Sequence, residues 1–429
     1  MTGTAAIRPG KASAAGTNTS PAAAHLRRRS TTAAVCFVLL AVFLIAFPKG
    51  GIKISGVPLT WGYILLGLMT PLALLTLTPP PRRCLNALFM SLGFMMLILP
   101  LSGYAALSAS GRGLGFIFAV MMSFGVFPII FYIFFAPKLK RIPPHVFVTT
   151  LLWCVRFIAV YGIFLFIYKV GTGTFFEIPY LTVNSADLGK LDDKPIMRAG
   201  GFAKLISTYN NGNIYGACLP LILPVYLLFE KNPLFVGVVW ASQFLTISRT
   251  AWAGGLFLIF ILYFIGHKPN AKRILRGLLI TFIGFILIWW LLQLLGRDMA
   301  WLFDPTMNGR VQKYDDFLST LRIFPKGEVA AFGEIVYMGI LRNHGLIGFL
   351  TFLPFFFAPW LLSRTGKMVQ HPIRRAARQG LLSYYLMSCS DAAILFIPVM
   401  AFFFFTALMA LEGQDLLPPN DPEARRLLK

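Results

Sequence analysis

Arg249 is the residue whose surroundings in the sequence point most directly to chemistry. It lies in the run SRTAWAGG, which begins at Ser248 and joins two apolar segments without a hydrophilic linker. The sequence therefore places Arg249 at or just inside a membrane interface, where an arginine is costly unless it is paired, hydrated or functional. Its fork of donors suits phosphate oxygens better than an ammonium would. The alternative is an arginine that only extends its charge to the interface.

A second candidate is the stretch RAGGFAKLISTYNNGNIYGA, which runs from Arg198 to Ala217. Glycine and asparagine are concentrated where the chain re-enters an apolar segment, so the backbone there can approach a ligand closely. A turn followed by a helix cap would explain the same composition. A lone arginine inside another apolar run, Arg156, is expected to pair with an internal acid or to line a cavity.

A third candidate is the turn sequence GEIVYMGILRNHGLIGF, which leads into a further apolar run. Read as a helix, it places Glu334, Tyr337 and Met338 on one face, and Arg342 follows Met338 by one turn. His344 stands where the apolar run begins. An imidazole there can act as an acid or a base, and the alternative is a histidine that only caps the helix by hydrogen bonding.

The polar segment before this turn contains Arg310, in an Asn-Gly-Arg sequence, and Arg322. The acidic pairs Asp192–Asp193 and Asp315–Asp316 could bind a cation, but adjacent acids in solvated loops usually bind nothing specific. Phosphate-loop, serine-hydrolase and zinc-protease motifs are absent from the sequence, and its five isolated cysteines form no CxxC pair. We therefore expect no metal and no cofactor.

The elements that must position these residues are apolar helices. Of the 429 residues, 57% are hydrophobic and only 13% are charged, and the mean hydropathy is +0.71. A soluble globular protein carries about a quarter charged residues, so this composition favours a membrane interior. The net charge of +23 is distributed in short clusters between apolar runs, which argues against nucleic-acid binding.

Runs near the ~20 residues that cross a bilayer predict an all-α, polytopic transmembrane helical bundle. The block 381–411 is too long for one span, and we expect two short ones, which gives about 11 or 12 spans. The predicted spans are 31–47, 57–78, 84–102, 114–135, 146–168, 213–229, 233–248, 250–266, 277–295, 345–362 and the block 381–411.

Charge sets the predicted orientation. Lys and Arg cluster in every second connection, as at Arg82–Arg83, whereas most acids lie in two long connections, 169–212 and 296–344. These two loops are therefore expected outside, with a disordered basic cytoplasmic tail at 1–30, the bundle at 31–411 and a cytoplasmic C-terminal tail at 412–429.

The order of these motifs resembles the O-antigen ligase and Wzy-type polysaccharide polymerase superfamily. The likeness covers about 198–350: a Gly/Asn-rich re-entry after a long outer loop, an SR dipeptide between spans, GR followed by P–G–G, and E-x-x-Y before LRNxGLIG. It is most like the exopolysaccharide polymerases, including that of xanthan-type gums. Matched to the family pattern, Arg198, Arg249 and Arg310 are its arginines, and Glu334 and Tyr337 its acid and aromatic residue.

The resemblance implies a metal-independent glycosyltransferase that polymerises undecaprenyl-pyrophosphate-linked oligosaccharide repeat units into exopolysaccharide at the outer face of a bacterial inner membrane. The arginines would bind the pyrophosphate leaving group, with Arg322 and Arg342 included in the substrate-binding set. Glu334, Tyr337 and His344 form the expected catalytic set, and Glu334 or His344 would be the base.

The partners that this reading implies are the lipid-linked oligosaccharide, membrane lipid, a chain-length regulator and export proteins. The alternatives are a ligase of the same superfamily, which would use lipid A core as acceptor, and a flippase for the same lipid-linked units. A flippase would distribute charges along many spans to line a pathway, whereas most ionisable residues here lie in the loops.

Overall fold

A computed structural model describes the chain over 21–54, 57–74, 78–108, 118, 120–192, 198–199, 202–264, 271–294, 296, 321–324, 335–366, 369–390 and 397–428. The protein is mostly helical, at 77% helix, and the described residues include two short β-hairpins. The predicted helical class is therefore confirmed.

The helices and strands follow the apolar runs of the sequence. The first half contains α1 (Pro21–Ala41), β1 (Gly51–Ile54), β2 (Val57–Thr60), α2 (Trp61–Leu74), α3 (Arg82–Ser108), α4 (Met122–Arg141) and α5 (Pro144–Thr172). The second half contains β3 (Arg198–Ala199), β4 (Phe202–Ala203), α6 (Gly212–Phe229), α7 (Pro233–Phe244), α8 (Arg249–Tyr263), α9 (Ala271–Leu294), α10 (Val336–Ser363), α11 (Pro372–Met387), α12 (Ile397–Glu412) and α13 (Pro422–Leu427).

Among the described residues, six helical segments are long and apolar enough to cross a membrane, which is compatible with a multi-pass membrane protein. Shorter apolar helical segments are Thr31–Ala46, α7 with 12 residues and α8 with 15. The predicted 11 or 12 spans are thus not reached by length and composition alone. The six segments are Arg82–Pro100, Met122–Arg141, Pro144–Thr172, Gly212–Phe229, Ala271–Leu294 and His344–Ser363.

The block 381–411 forms two separate helices, as expected, but the first begins earlier, at Pro372. Helix α11 can place arginines within the bundle because backbone carbonyl groups accept hydrogen bonds from their guanidinium groups. Arg374 is fully buried, and its guanidinium donates from Nε to the carbonyl of Ala410 at 3.0 Å and from Nη2 to that of Ser363 at 2.7 Å. These carbonyls lie at the carboxyl ends of α12 and α10, where a cation is favoured.

The predicted span 57–78 does not begin as a helix. Gly51–Ile54 and Val57–Thr60 pair as the antiparallel strands β1 and β2, and helix α2 begins only at Trp61. The hairpin is tied to the first long loop, because the Trp61 indole nitrogen donates to the carbonyl of Tyr180 at 2.6 Å and Gly51 forms a bridge with Asn184. Tertiary contacts with that loop therefore favour a strand over the start of a span.

The N-terminal boundary also differs from the expected tail at 1–30. Helix α1 begins at Pro21 and includes the alanine-rich sequence before the arginine triplet. A proline at the first helical position followed by alanines is a strong local helix signal, and it outweighs the polarity of the segment. At the other end, the expected tail 412–429 contains the short helix α13, which packs on α5.

The core contains a dense aromatic cluster between α3, α4, α10 and α12. Phe94 stacks on Phe355 at 5.2 Å between ring centroids, and Phe356 stacks on Phe403 at 5.5 Å. In contrast, only 28% of the residues in the apolar stretch of α9 are buried. An outward apolar face of this extent is typical of a surface that contacts lipid or another protein.

Ion pairs connect the segments predicted to face the cytoplasm. Arg83, at the start of α3, lies 3.8 Å from Glu412, at the end of α12. Lys140 lies 3.9 Å from Asp415, and the His145 ring lies 2.9 Å from Glu423 in α13. The connections 79–83, 136–145 and the C-terminal segment therefore meet at one end of the bundle.

Candidate functional site

The glycine- and asparagine-rich re-entry is a buried, tightly held turn. Ser207 and Asn210 both adopt positive φ angles, of 48° and 54°. The Ser207 hydroxyl donates to the carbonyl of Ile158 at 2.6 Å, and the Asn210 amide donates to that of Thr182 at 2.9 Å. Asn211 then caps α6, because its side-chain oxygen accepts from the backbone nitrogen of Asn213 at 2.8 Å. The stretch therefore forms a turn followed by a helix cap.

The turn before α8 packs directly against this re-entry. The backbone nitrogen of Leu205 donates to the carbonyl of Leu245 at 3.1 Å. Ile247 has a φ of 48°, which is rare for a β-branched residue and indicates a backbone held by its surroundings. Ser248 caps α8 by accepting from the Ala251 nitrogen at 3.4 Å.

The amino ends of α6 and α8 consequently lie side by side. A Cβ added at Gly216 would lie 2.4 Å from the Cβ of Ala251, so the two helices can approach this closely only with a glycine there. The buried Gln243 joins them, since its Nε2 donates to the carbonyls of Gly216 at 3.1 Å and Ala251 at 2.9 Å.

Two cations belong to this pair of helix ends. Arg249 is the first residue of α8 and is half-buried, and Lys204, also half-buried, donates to the Asn213 side chain at 3.3 Å. Helix amino ends carry partial positive charge, so these two ends together with Lys204 and Arg249 can bind an anion. Lys204 was missed by the sequence analysis, which followed arginines. The sequence signal that could have identified Lys204 was its position in the glycine- and asparagine-rich re-entry, one residue before Leu205.

Hydrogen bonds connect the start of α8 to the start of α10 through the turn after α11. The hydroxyls of Thr250 and Ser390 lie 2.8 Å apart, and the backbone nitrogen of Val336 donates to the carbonyl of Ser388 at 3.2 Å. The structure thus brings the start of α8, which carries Arg249, and the start of α10 to the same three-residue segment, 388–390. Sequence spacing alone could not show this proximity.

Helix α10 reverses direction at Gly345. This glycine has φ 66° and ψ −174°, outside helical values, and the rings of Phe352, Phe356 and Phe357 lie 6.1 to 6.4 Å from that of Tyr337. In a straight helix Tyr337 and Phe357 would be about 30 Å apart. The segment before Gly345 therefore folds back on the segment after it.

The two described members of the expected catalytic set lie in this reversal. The Tyr337 hydroxyl donates to the backbone carbonyl of Tyr385 at 3.1 Å, so its proton is already engaged within the bundle. His344 is buried, with 6% of its surface exposed, immediately before the turn at Gly345. Glu334 lies outside the described residues, two positions before the start of α10.

The expected substrate-binding arginines are described to different extents. Arg322 is exposed, and its carbonyl accepts from the Leu346 nitrogen at 2.9 Å, which attaches part of the second long loop to the reversal. Arg198 pairs with Ala203 in the β3–β4 hairpin, and Arg342 lies in α10. Arg310 lies outside the described residues. Of these arginines, Arg249 is the one that the structure places at paired helix ends.

The isolated Arg156 pairs with an acid, as the sequence analysis expected. Its Nε and Nη2 donate to the two carboxylate oxygens of Glu230 at 2.6 and 2.9 Å, and Tyr226 donates to the same carboxylate at 2.7 Å. Trp153, Phe157 and further aromatic residues line a groove of about 700 Å³ beside this arginine. The pair is separate from the Arg249 helix ends.

A metal centre is not seen in the part of the chain that the structure describes, where no three His, Cys, Asp or Glu side chains are grouped. Asp192 forms an ion pair with Lys169 instead. Asp193, Asp315 and Asp316 lie outside the described residues. Among the five free cysteines, Cys84, Cys154 and Cys218 are buried, Cys36 is half-buried and Cys389 is exposed.

No family model matches this chain, and neither a curated protein nor a solved structure shows significant similarity to it. The functional interpretation therefore depends on the site itself and on the motif resemblance.

Proposed function

We propose that this protein is a metal-independent membrane glycosyltransferase that polymerises undecaprenyl-pyrophosphate-linked oligosaccharide repeat units into exopolysaccharide, at the outer face of a bacterial inner membrane. The observation that carries the proposal is the pair of helix amino ends flanked by Lys204 and Arg249. A lipid diphosphate is an anion of the kind that such a site binds.

The proposed reaction needs a leaving-group site and a base. The acceptor hydroxyl loses its proton to the base and forms a bond to the donor sugar C1, while the bond from C1 to the pyrophosphate oxygen breaks. The charge that develops on the pyrophosphate is stabilised by Arg249, Arg198 and Arg310 and by the helix ends. Glu334 and His344 are the candidates for the base. Support for this comes from the start of α10, since the backbone nitrogen of Val336 donates to the carbonyl of Ser388 in the turn that also contacts Thr250 of α8.

A transporter for the same lipid is less well supported by the structure. Transport along the bundle would require charged side chains at intermediate depth along a pathway. Arg156, which the sequence places within an apolar run, is bound to Glu230 and lies beside an aromatic groove. The described cations of the candidate site instead lie together at one end of α6 and α8, which favours chemistry at an interface.

The proposal is tested by replacing Arg249 in a host strain in which the variant is the only copy of this protein. Arg249→Ala is expected to slow polymer formation about 100- to 1,000-fold, as removal of one transition-state donor does, and Arg249→Lys to restore little, since it lacks the fork. Single outward-facing lipid-linked repeats should accumulate at an unchanged protein level. The matched control is Arg364→Ala, because Arg364 is exposed at the far end of α10, over the ring of Trp360.

Lipid-linked glycans extracted from these strains separate the alternatives. Normal polymer from Arg249→Ala would contradict the assignment. In a deletion strain, finished polymer that stays unattached would indicate a ligase, and repeats that remain on the inner leaflet would indicate a flippase. An equal loss of polymer in Arg364→Ala would show that any arginine change disturbs the bundle.

A further inference from the structure

A pocket at the opposite end of α6 and α8 from the proposed active site contains a cluster of cations. It is lined by residues at the carboxyl ends of these two helices and at the amino ends of α9 and α11, and its volume is about 570 Å³. That volume suits an organic ligand rather than a single small ion. The polar and charged residues that line it are Tyr263, Lys272, Arg273, Arg276, Gln370, Arg375 and Gln379.

The electrostatics of this pocket favour an anion. Four of the lining residues are cationic and none of them is acidic. Arg273 from α9 and Arg375 from α11 line the same pocket, so the two helices bring their cations together there. The amino ends of α9 and α11, helices of 24 and 16 residues, add partial positive charge.

One of the four cations also has a structural contact. Arg273 donates from Nε to the carbonyl of Leu262 at 3.0 Å, at the carboxyl end of α8. This bond holds α9 against α8 and fixes the guanidinium at the pocket. Lys272 and Arg276 are exposed within the first two turns of α9, where an incoming anion can reach them.

The apolar surroundings indicate which anion fits. Leu227, Leu228 and Leu262 line the same pocket as the cations. Beyond it, α9 continues as an exposed apolar face on the side of Lys272 and Arg276, one to three turns further along. This face comprises Leu275, Leu279, Phe282, Ile283 and Ile286, each between 48% and 67% exposed.

We propose that this pocket binds the phosphate headgroup of an anionic phospholipid, with the acyl chains lying along the exposed apolar face of α9. The site belongs to the end of the bundle that is predicted to face the cytoplasm, where basic pockets between helices suit such headgroups. The proposal does not depend on the glycosyltransferase assignment, because it concerns different residues at the opposite helix ends.

The test measures lipid binding to the purified full-length chain in detergent, by native mass spectrometry with cardiolipin, phosphatidylglycerol and phosphatidylcholine. The triple variant Lys272→Gln, Arg276→Gln, Arg375→Gln is expected to bind cardiolipin about 100-fold more weakly, since each basic residue near an anionic lipid contributes about fivefold. The matched control removes three charges elsewhere, at the exposed residues Arg82, Arg425 and Arg426. It should bind as the unmodified chain does.

Each outcome decides the proposal. Cardiolipin or phosphatidylglycerol retained by the chain and by the control, but lost from the triple variant, would support it. Equal losses in the two triple variants, or equal binding of phosphatidylcholine, would overturn it. Full displacement of cardiolipin by inorganic phosphate or glycerol phosphate would show a soluble anion as the ligand and overturn the lipid assignment. If the triple variant does not fold, Lys272→Gln with Arg276→Gln, both at exposed positions, should still weaken cardiolipin binding about 25-fold.

Discussion

Two arginines on helices of the bundle, the partly exposed Arg156 and the fully buried Arg374, are stabilised by different partners. Arg156 is bound by a carboxylate, that of Glu230, whereas Arg374 is bound by the carbonyls of Ala410 and Ser363 at helix carboxyl ends. Both arrangements compensate for removing a guanidinium from water. The composition of the surrounding apolar run cannot distinguish them, because a backbone carbonyl leaves no signature in the sequence.

Glu230 gives a prediction for the dependence of stability on pH. Burial raises the pKa of Glu230, but donors from Arg156, Tyr226 and the Asn232 backbone outweigh it and hold the pKa below its usual value. A depressed folded-state pKa stabilises the protein above the unfolded-state value of about 4.3, and this contribution is lost as pH falls through the folded-state pKa. In detergent, the melting temperature of Glu230→Gln should therefore be lower at neutral pH, by the equivalent of about 1 to 3 kcal/mol.

The control for this prediction is Glu423→Gln, which removes the acid of an exposed pair with His145. Its melting temperature should change little, because exposed pairs contribute about 0 to 1 kcal/mol. As the pH falls below about 4.3, the melting temperatures of the unmodified chain and of Glu230→Gln should converge. A constant difference down to about pH 3 would contradict the assigned role of the carboxylate.

At the scale of single residues the sequence was informative where charge stood out against an apolar background. It predicted the pairing of Arg156 and singled out Arg249, which the structure places at a helix amino end. It did not single out Lys204 or Gln243, because a lysine in a polar stretch and a lone glutamine are ordinary in sequence. Their contacts exist only once α6 and α8 are packed together.

At the scale of elements, the reversal of α10 depends on one glycine. A Cβ at Gly345 would lie 2.7 Å from the carbonyl oxygen of Ile323 and 2.8 Å from that of Phe324, and its φ of 66° disfavours any other residue. Gly345→Ala is therefore expected to destabilise the protein by about 1 to 3 kcal/mol, measured as a lower melting temperature in detergent. If the reversal positions the base, polymer formation should fall as well.

The matched control is Gly237→Ala in α7, where an added Cβ meets nothing within 4 Å. An alanine inside a helix that has room for it stabilises by about 0.4 to 1 kcal/mol, so this variant should melt at the same temperature or higher. A Gly345→Ala protein as stable as Gly237→Ala would show that the chain does not need this reversal.

Helices were predictable where an apolar run was long, as for α5 and α9. The hairpin β1–β2 was not predictable, because its residues are as apolar as those of a membrane span. Contacts with the loop at Tyr180 and Asn184 favour the strand conformation there. Helix α11 begins before the apolar block for a related reason, since carbonyls receive its buried Arg374. A hydropathy scale scores side chains only, so it cannot predict which backbone carbonyl groups will accept hydrogen bonds from them.

For the whole molecule, the structure supports the separation of the bundle into two ends. Predicted inner connections meet through Arg83–Glu412 and Lys140–Asp415, and predicted outer ones meet through Thr250–Ser390. Which end faces the cytoplasm follows from the charge distribution and stays a prediction, as does the polymerase activity. Much of the second long loop, with Arg310 and Glu334, lies outside the described residues, so the expected site is assembled only in part.

The lengths of the short helices have a consequence for the membrane around this protein. At 1.5 Å per residue, α7 is about 18 Å long and α8 about 22 Å, against a hydrocarbon core of about 30 Å. Such hydrophobic mismatch is relieved when the bilayer thins locally, which would bring phospholipid headgroups on one surface closer to the buried ends of these helices. The proposed polymerase activity, measured after reconstitution, should therefore be highest in vesicles of lipids with short acyl chains and decline as the acyl chains lengthen. An activity that does not change with acyl-chain length would mean that surrounding long helices shield the short ones from lipid.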